Sequence, residues 1–157
     1  MLVRANANEI HDADPNSVLH LIADTETVTS NRSVFRDGSD GAPPHFHTRA
    51  SEMFYVLGGE LEMLVDDQVL TLTKGDFLLV PPRTPHAFGA VAGKDADVLC
   101  VFTPGMGRFD YYRLLDRVQR GEADPKEIAA SSQRFDNHYF ESPLWKKTRE
   151  RVSPGGA

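Results

Sequence analysis

The chain has 157 residues, of which 40% are hydrophobic and 25% are charged, and its formal net charge is −6. This length allows one domain with a hydrophobic core, and this composition excludes an intrinsically disordered chain. The acidic balance gives no general attraction to nucleic acids or anionic membranes. No segment approaches the roughly 18 apolar residues of a membrane helix. We therefore expect neither a nucleic acid nor a membrane as a partner.

Residues 1–16 are polar and predict a flexible N-terminal segment. From 17 to 104 the chain alternates short β-type runs with Gly, Pro and Asp breakers, a spacing typical of a β-sandwich or barrel. The predicted strands have the sequences SVLHLIA, TVTSNRSVF, SEMFYVL, ELEMLV, QVLTLT, DFLLVP, HAFGAV and DVLCVF. The Gly-Gly pair at 58–59 and the Asp-Asp pair at 66–67 predict tight hairpin turns, because positive φ angles cost least at Gly, Asn and Asp. We therefore predict an all-β domain.

The pattern changes in residues 105–150, which predict a helical extension. Apolar residues three apart within 109–118 indicate a first helix, and further helices are expected from Asp124 and from Ser142. This extension is too short and too polar for a domain of its own, so we expect it to pack on the β domain or on a partner subunit. Residues 151–157 predict a frayed tail.

The stretch GAPPHFHTRASEMFYVLGGE contains a group of side chains of the kinds that bind metals: His45, His47 and Glu52. His45 and His47 are two residues apart, so both imidazoles project from the same face of a strand. Glu52 follows five residues after His47, an offset that strict alternation would place on the opposite face. If residues 48–51 form a turn, Glu52 opens the next strand and returns beside the two histidines.

A fourth candidate ligand, His86, lies in GDFLLVPPRTPHAF, where prolines stiffen the start of a strand. Three imidazoles and one carboxylate suit Fe, Mn, Ni, Co, Cu or Zn, whereas Ca and Mg prefer oxygen ligands. A six-coordinate ion would keep two positions for water, dioxygen or substrate. The four residues predict one divalent transition-metal ion per chain, and the alternative is a set of core histidines with purely structural hydrogen bonds.

This pattern closely resembles the first motif of the cupin superfamily, G-x5-HxH-x3-4-E-x6-G, which His45, His47, Glu52 and Gly59 match in register. The leading glycine of the motif is displaced to Gly38 or Gly41. The resemblance covers residues 17–103. It implies a double-stranded β-helix, or jelly-roll, barrel that is followed by the C-terminal helical extension. It also implies that the four candidate side chains meet inside the barrel as metal ligands.

The second cupin motif, G-x5-PxG-x2-H-x3-N, is matched by Gly75, Pro81 and His86. Arg83 replaces its second glycine, and Ala90 replaces its asparagine. Neither departure removes a ligand, so both bear on the turn geometry and not on the metal.

Within the cupins, the phrase VPPRTPHAF looks most like single-domain proteins related to quercetin 2,3-dioxygenase. That resemblance implies a dioxygenase acting on an aromatic or enol-type small molecule, with Glu52 both as a metal ligand and as the catalytic base for the substrate hydroxyl. Two alternatives stay open. One is a metal-dependent isomerase, cyclase or decarboxylase that consumes no dioxygen, and the other is a cupin that binds a small molecule without turnover.

Several aromatic residues are candidates for the substrate pocket. Phe54 and Phe88 share strand parity with Glu52 and His86 and are expected near the metal, although core packing explains them equally well. The pair at 111–112, Tyr-Tyr, could close the barrel mouth, but a helix packing on the outer sheet is the favoured interpretation.

The remaining histidines are expected to be structural or solvated. His11 lies in the flexible start, His20 in the first predicted strand and His138 in a predicted helical linker. Cys100 lies in an apolar run and predicts a buried, inert thiol. A single cysteine cannot form an internal disulfide, so we expect a reducing, cytoplasmic compartment. Cupin barrels usually pair, and an N-terminal strand could add to a neighbour's sheet edge, so we expect a homodimer.

Overall fold

The structure, a computed structural model, describes residues 1–150, and the predicted frayed tail lies outside the described residues. Its strands are β1 (Glu9–Asp14), β2 (Ser17–Asp24), β3 (Thr29–Phe35), β4 (His45–Phe46), β5 (Ser51–Val65), β6 (Gln68–Thr73), β7 (Phe77–Val80), β8 (His86–Ala90), β9 (Ala96–Thr103) and β10 (His138–Tyr139). A short 3-10 turn, Ala5–Ala7, precedes β1. The helices are α1 (Phe109–Gln119), α2 (Lys126–Ala130), α3 (Ser132–Phe135) and α4 (Pro143–Glu150). None of these helices is long and apolar enough to cross a membrane.

Strand β5 organises the sheet because its two halves have different neighbours. The first half pairs with β7 and β9, and the path continues from β9 through β3 and β2 to β1. The second half pairs with β6 and β8, and the path continues from β8 through β4 to β10. These pairs are antiparallel, and the sheet does not close into a complete barrel. The prediction of an all-β jelly roll with a C-terminal helical extension is confirmed.

The hairpin predicted at 58–59 is wrong, because β5 runs through both glycines without a turn. The register between β5 and β9 shifts between Val56 and Gly58, and the next residue, Gly59, has a φ of +70°. A Cβ on Gly59 would lie 1.9 Å from the carbonyl oxygen of Asp95, so the close approach of the two strands requires glycine. The glycines therefore allow a bulge where β5 exchanges one set of neighbours for the other. The turn predicted at 66–67 is confirmed between β5 and β6.

The core is filled from alternate positions of the long strands. Every second residue of β3 and β9 is buried over most of their length, which is the period expected when one face of a sheet packs inward. Burying one large apolar side chain contributes about 1.5–3 kcal/mol, so this interior is the main source of the fold's stability. Fully buried members of the core include Phe54, Val56, Leu61, Met63 and Val98.

The N-terminal segment, expected to be flexible, contains strand β1, which pairs with β2. The guanidinium of Arg113 in α1 donates to both carboxylate oxygens of Glu9, at 2.9 and 2.7 Å. These hydrogen bonds lower the pKa of Glu9 to about 2. His11 of β1 also lies 3.4 Å from the carboxylate of Asp116 in α1. The polar residues of β1 are therefore partners of a helix that lies about a hundred residues later in the chain.

The C-terminal helices pack on the jelly roll of their own chain. Trp145 of α4 is buried in a small second cluster against Leu64 and Ala87. Arg149, at the end of α4, donates to the side chains of Asp40 and Glu62 and to two backbone carbonyl oxygens. The extension is thus held by both apolar packing and partly buried polar contacts.

Candidate metal centre

The four candidate ligands converge although they come from three separate strands and a loop. His45 lies in β4 opposite His86, the first residue of β8, and Glu52 is the second residue of β5. His47 directly follows β4. One ligand atom from each residue lies within 4.8 Å of all the others, and all four residues are buried. The structure therefore brings together the complete predicted set.

Each imidazole is oriented by a hydrogen bond from its Nδ1 atom to a backbone carbonyl oxygen. The acceptors are Pro43 for His45, Asp136 for His47 and Thr84 for His86, at 2.8, 2.7 and 2.8 Å. A carbonyl oxygen can only accept, so each Nδ1 atom carries a proton. The Nε2 atoms of the three rings then turn toward the centre of the cluster as potential ligand atoms.

The carboxylate of Glu52 faces these Nε2 atoms. Its Oε2 atom lies 3.0 Å from Nε2 of His47, 2.9 Å from Nε2 of His86 and 4.0 Å from Nε2 of His45. If each ring carries its single proton on Nδ1, these short contacts place lone pairs against a carboxylate with no proton between them. A cation bound among the four atoms would remove this repulsion. The donor set therefore fits a divalent transition-metal ion.

The electrostatics of the centre follow from its burial. Burial lowers the pKa of His45 well below its ordinary value, and the neighbouring His86 and His47 lower it further. Burial alone would raise the pKa of Glu52, but the close contacts of its carboxylate with the rings of His47 and His86 outweigh burial and hold that pKa below its ordinary value. The cluster thus favours neutral imidazole at His45 and an ionised carboxylate at Glu52, which are the forms that bind metals.

Asp136, which the sequence did not reveal, clamps the segment that joins two of the ligands. Its carboxylate accepts hydrogen bonds from the backbone N–H groups of Thr48, Arg49 and Ala50, at 2.9, 2.8 and 3.3 Å, and from the Thr48 hydroxyl. Its own carbonyl oxygen accepts the hydrogen bond from His47. Burial would raise the pKa of Asp136, but these donors outweigh it and lower the pKa. No local motif marks this residue, because its partners lie almost ninety residues earlier.

A cavity of about 480 Å³ borders the cluster. His45 and Glu52 line it, whereas His47 and His86 do not. The aromatic rings of its wall are contributed by Phe35, Phe88 and Phe102 of the jelly roll and by Tyr111, Tyr112 and Tyr139 of the extension. The size is that of a small-molecule site, and two candidate ligands face it.

The two phenylalanines predicted near the metal have different positions. Phe88 lines the cavity and packs edge-on against Phe54, with 5.0 Å between ring centroids. Phe54 is completely buried behind it and does not line the cavity. Its ring supports Phe88 and lies 6.3 Å from the ring of His86.

The tyrosines of α1 do not pack on the outer face of the sheet, which was the favoured interpretation. Both Tyr111 and Tyr112 are buried in the cavity wall, where the helix covers the jelly roll. Tyr112 donates a hydrogen bond to the side chain of Asn31, at 3.0 Å, which anchors the helix to β3. Burial raises the pKa of both phenols.

The remaining histidines and the cysteine lie outside the cluster. His138 is in β10 and not in a helical linker, because it pairs with Phe46 of β4. His20 is half-buried in β2, which is the first strand predicted from the sequence. His11 lies in β1. The thiol of Cys100 is buried, and burial raises its pKa well above the ordinary value, as expected for an inert thiol.

Residues 32–102 match the family model described as Cupin domain, and this range contains all four converging residues. Residues 32–102 therefore form a cupin domain. The fold agrees with a solved structure: that of KdgF from Halomonas sp. has a TM-score of 0.59 and 25% sequence identity, over 66% of this chain and 93% of that chain.

Two curated relatives also match this cupin. Quercetin 2,3-dioxygenase of Bacillus subtilis is 34% identical over 92 residues, which are 59% of this chain and 26% of that protein. The uncharacterized protein MJ1618 of Methanocaldococcus jannaschii is 32% identical over 60 residues, or 38% of this chain and 48% of that protein. The matches therefore span about a quarter of the dioxygenase and about half of MJ1618.

Proposed function

We propose that this cupin is a metal-dependent dioxygenase that oxidises an aromatic or enol-type small molecule. His45, His47, Glu52 and His86 would hold one divalent transition-metal ion, which supplies Lewis acidity and, when redox-active, a path for electrons to dioxygen. The observation that carries the proposal is that two of these candidate ligands border an aromatic cavity of about 480 Å³. The similarity to a quercetin 2,3-dioxygenase supports the choice of reaction.

The chain's own residues have separable tasks in this proposal. Glu52 borders the cavity as a carboxylate, so it can accept the proton of a substrate hydroxyl at its Oε atoms. Phe88 and Phe102 line the cavity and give it an apolar wall that suits the flat framework of an aromatic or enol-type substrate. Tyr111 and Tyr112, carried by α1, cover the cavity and exclude water from the reacting groups.

The test begins with elemental analysis of the purified protein, followed by loading with Fe, Mn, Ni, Co or Cu. Oxygen uptake is then measured with a panel of flavonols and enols. Glu52→Gln should keep part of its metal and yet lose turnover by about 100-fold or more, because a positioned base contributes about that factor. Glu60→Gln, eight residues along the same strand, makes the same chemical change outside the cavity and should leave turnover unchanged.

Other outcomes have distinct meanings. Conversion of the panel without oxygen uptake would replace the dioxygenase with an isomerase, cyclase or decarboxylase. A tightly held small molecule that is released unchanged on denaturation would indicate a binding protein without turnover. If no ion supported oxygen uptake with any substrate of the panel, the proposed reaction would be abandoned.

We also propose that the protein forms a homodimer. Three large apolar side chains on the outer face of the sheet support this proposal: Tyr55, Phe77 and Leu79 are 42%, 60% and 50% exposed. Tyr55 pairs directly with Phe77 across β5 and β7, so the patch is continuous. An exposed apolar patch of this kind is typical of a surface that contacts another chain.

A further inference from the structure

Arg108 is a buried cation in the wall of the cavity. Arg108 is 2% exposed. It directly precedes α1, in a segment outside the cupin motifs. One guanidinium nitrogen donates to the carbonyl oxygen of Phe135 at 2.7 Å, and another donates to the side-chain oxygen of Asn137 at 2.9 Å. Both acceptors are neutral groups.

The guanidinium keeps donors that the protein does not use. It has five N–H groups, and the two contacts above account for two of them. Its Nε atom is buried and has no hydrogen-bond partner. Among residues 1–150, no carboxylate forms an ion pair with it. Since burying an unpaired charge with unused donors is costly, this arrangement calls for an anionic partner supplied from outside the chain.

The position of Arg108 connects it with the candidate metal centre. Its guanidinium carbon lies 4.0 Å above the ring centroid of Phe102, and the same ring packs edge-on against His47 at 5.5 Å. Asn137, which accepts from Arg108, directly follows Asp136, whose carbonyl oxygen orients His47. Arg108 and two candidate ligands, His45 and Glu52, line the same cavity.

We propose that Arg108 binds an anionic group of the substrate, so that the cavity takes a small acid with a carboxylate next to an aromatic or enol framework. This inference rests on the proposed function in assuming that the cavity holds the substrate. Arg108 would fix the carboxylate through charge-assisted hydrogen bonds while the reacting part of the molecule lies toward Glu52. A neutral molecule of the same shape would leave the guanidinium unpaired and would be discriminated against.

The test compares benzoate with its neutral isostere benzamide by titration calorimetry, on zinc-loaded and on EDTA-treated protein. We expect benzoate to bind about tenfold tighter or more in both forms, as is typical of hydrogen bonds to a charged group. Arg108→Gln should abolish the difference, and Arg108→Lys, which keeps the charge, should retain part of it. Arg134→Gln is the matched control, because this arginine is exposed and lies outside the cavity.

A second readout is taken on the wild-type protein, and a variant serves only to assign the signal. The Nε–H signal of Arg108 in a 15N spectrum, assigned by its loss in Arg108→Lys, should shift with benzoate and not with benzamide. Equal binding of both compounds to the wild-type protein would overturn the proposal and leave Arg108 as a structural anchor for Asn137. A preference for benzoate that requires zinc and survives Arg108→Gln would overturn it too, because the carboxylate would then bind the ion. If the protein held no metal but Arg108 still selected benzoate, the proposed reaction would fail and this inference would stand.

Discussion

Asp136→Asn replaces one oxygen of a carboxylate by an NH2 group. This carboxylate holds the loop between His47 and Glu52. Asparagine tolerates the left-handed backbone at this position, where φ is +56°, so the substitution tests the carboxylate and not the fold of the chain. One amide oxygen can still accept from Thr48. The NH2 group that replaces the other oxygen cannot accept from the backbone N–H groups of Arg49 and Ala50.

The expected cost follows from those two lost acceptors. A buried donor without a partner costs about 1–3 kcal/mol, so two of them would cost about 2–6 kcal/mol. The hydrogen bond from the Arg49 backbone is only partly buried, and the Ala50 contact is long at 3.3 Å. Both facts lower the expectation to about 2–4 kcal/mol in the free energy of unfolding. Because the loop positions two candidate ligands, metal affinity should fall by about 10–100-fold as well.

Urea unfolding of the metal-free protein measures the first quantity, and competition with a zinc chelator measures the second. Asp124→Asn is the matched control, because Asp124 is exposed and accepts only one backbone N–H, from Lys126. Since the folded-state pKa of Asp136 is lowered, its stabilisation is present above the unfolded pKa of about 3.9 and is lost as pH falls through the folded value. The difference between wild type and Asp136→Asn should therefore shrink only below about pH 4.

If Asp136→Asn unfolded and bound zinc as the wild type does, the Asp136 carboxylate would neither hold the loop nor position the ligands. An equal effect of Asp124→Asn would lead to the same conclusion. A loss of stability without any loss of metal affinity would show that the clamp supports the loop but does not position the ligands.

Two further predictions concern the periphery of the molecule. Arg149→Gln removes the contacts that tie α4 to Asp40, Glu62 and two carbonyl oxygens, so it should cost about 2–4 kcal/mol in urea unfolding and shift the emission of the single tryptophan, Trp145, to longer wavelength. Arg134→Gln, on an exposed arginine, should do neither. Light scattering should give twice the 17.4 kDa mass of one chain, and Phe77→Asp in the exposed patch should give the mass of one chain. A wild-type mass of one chain would contradict the dimer.

The parts of the molecule that could be predicted from the sequence have local signals. His45 and His47 share one face through their spacing, and the prolines before His86 mark the start of its strand. Strand alternation and breakers indicated an all-β sandwich or barrel, and the resemblance of the two motifs to those of cupins implied the jelly roll. The hairpin predicted at the Gly-Gly pair 58–59 is wrong, because a glycine with positive φ occurs in a bulge within a strand as well as in a turn between two strands.

The parts that could not be predicted depend on contacts between distant residues. Asp136 clamps a loop almost ninety residues earlier, and Arg108 enters the cavity only because α1 covers the jelly roll. The polar sequence of β1 looks flexible until the partners of Glu9 and His11 in α1 are known. In each case a polar residue that is unremarkable in sequence gains its role from a partner that only the fold supplies.

Metal stoichiometry, measured by elemental analysis after dialysis against one transition metal at a time, is the most direct test of the convergence of the four ligands. We expect one ion per chain in the wild type and in His20→Gln, whose imidazole lies in β2 outside the cluster. His47→Gln and His86→Gln, if folded by circular dichroism, should each hold far less than one ion. A wild-type chain that retains no ion, or cluster variants that retain as much as His20→Gln, would contradict the account.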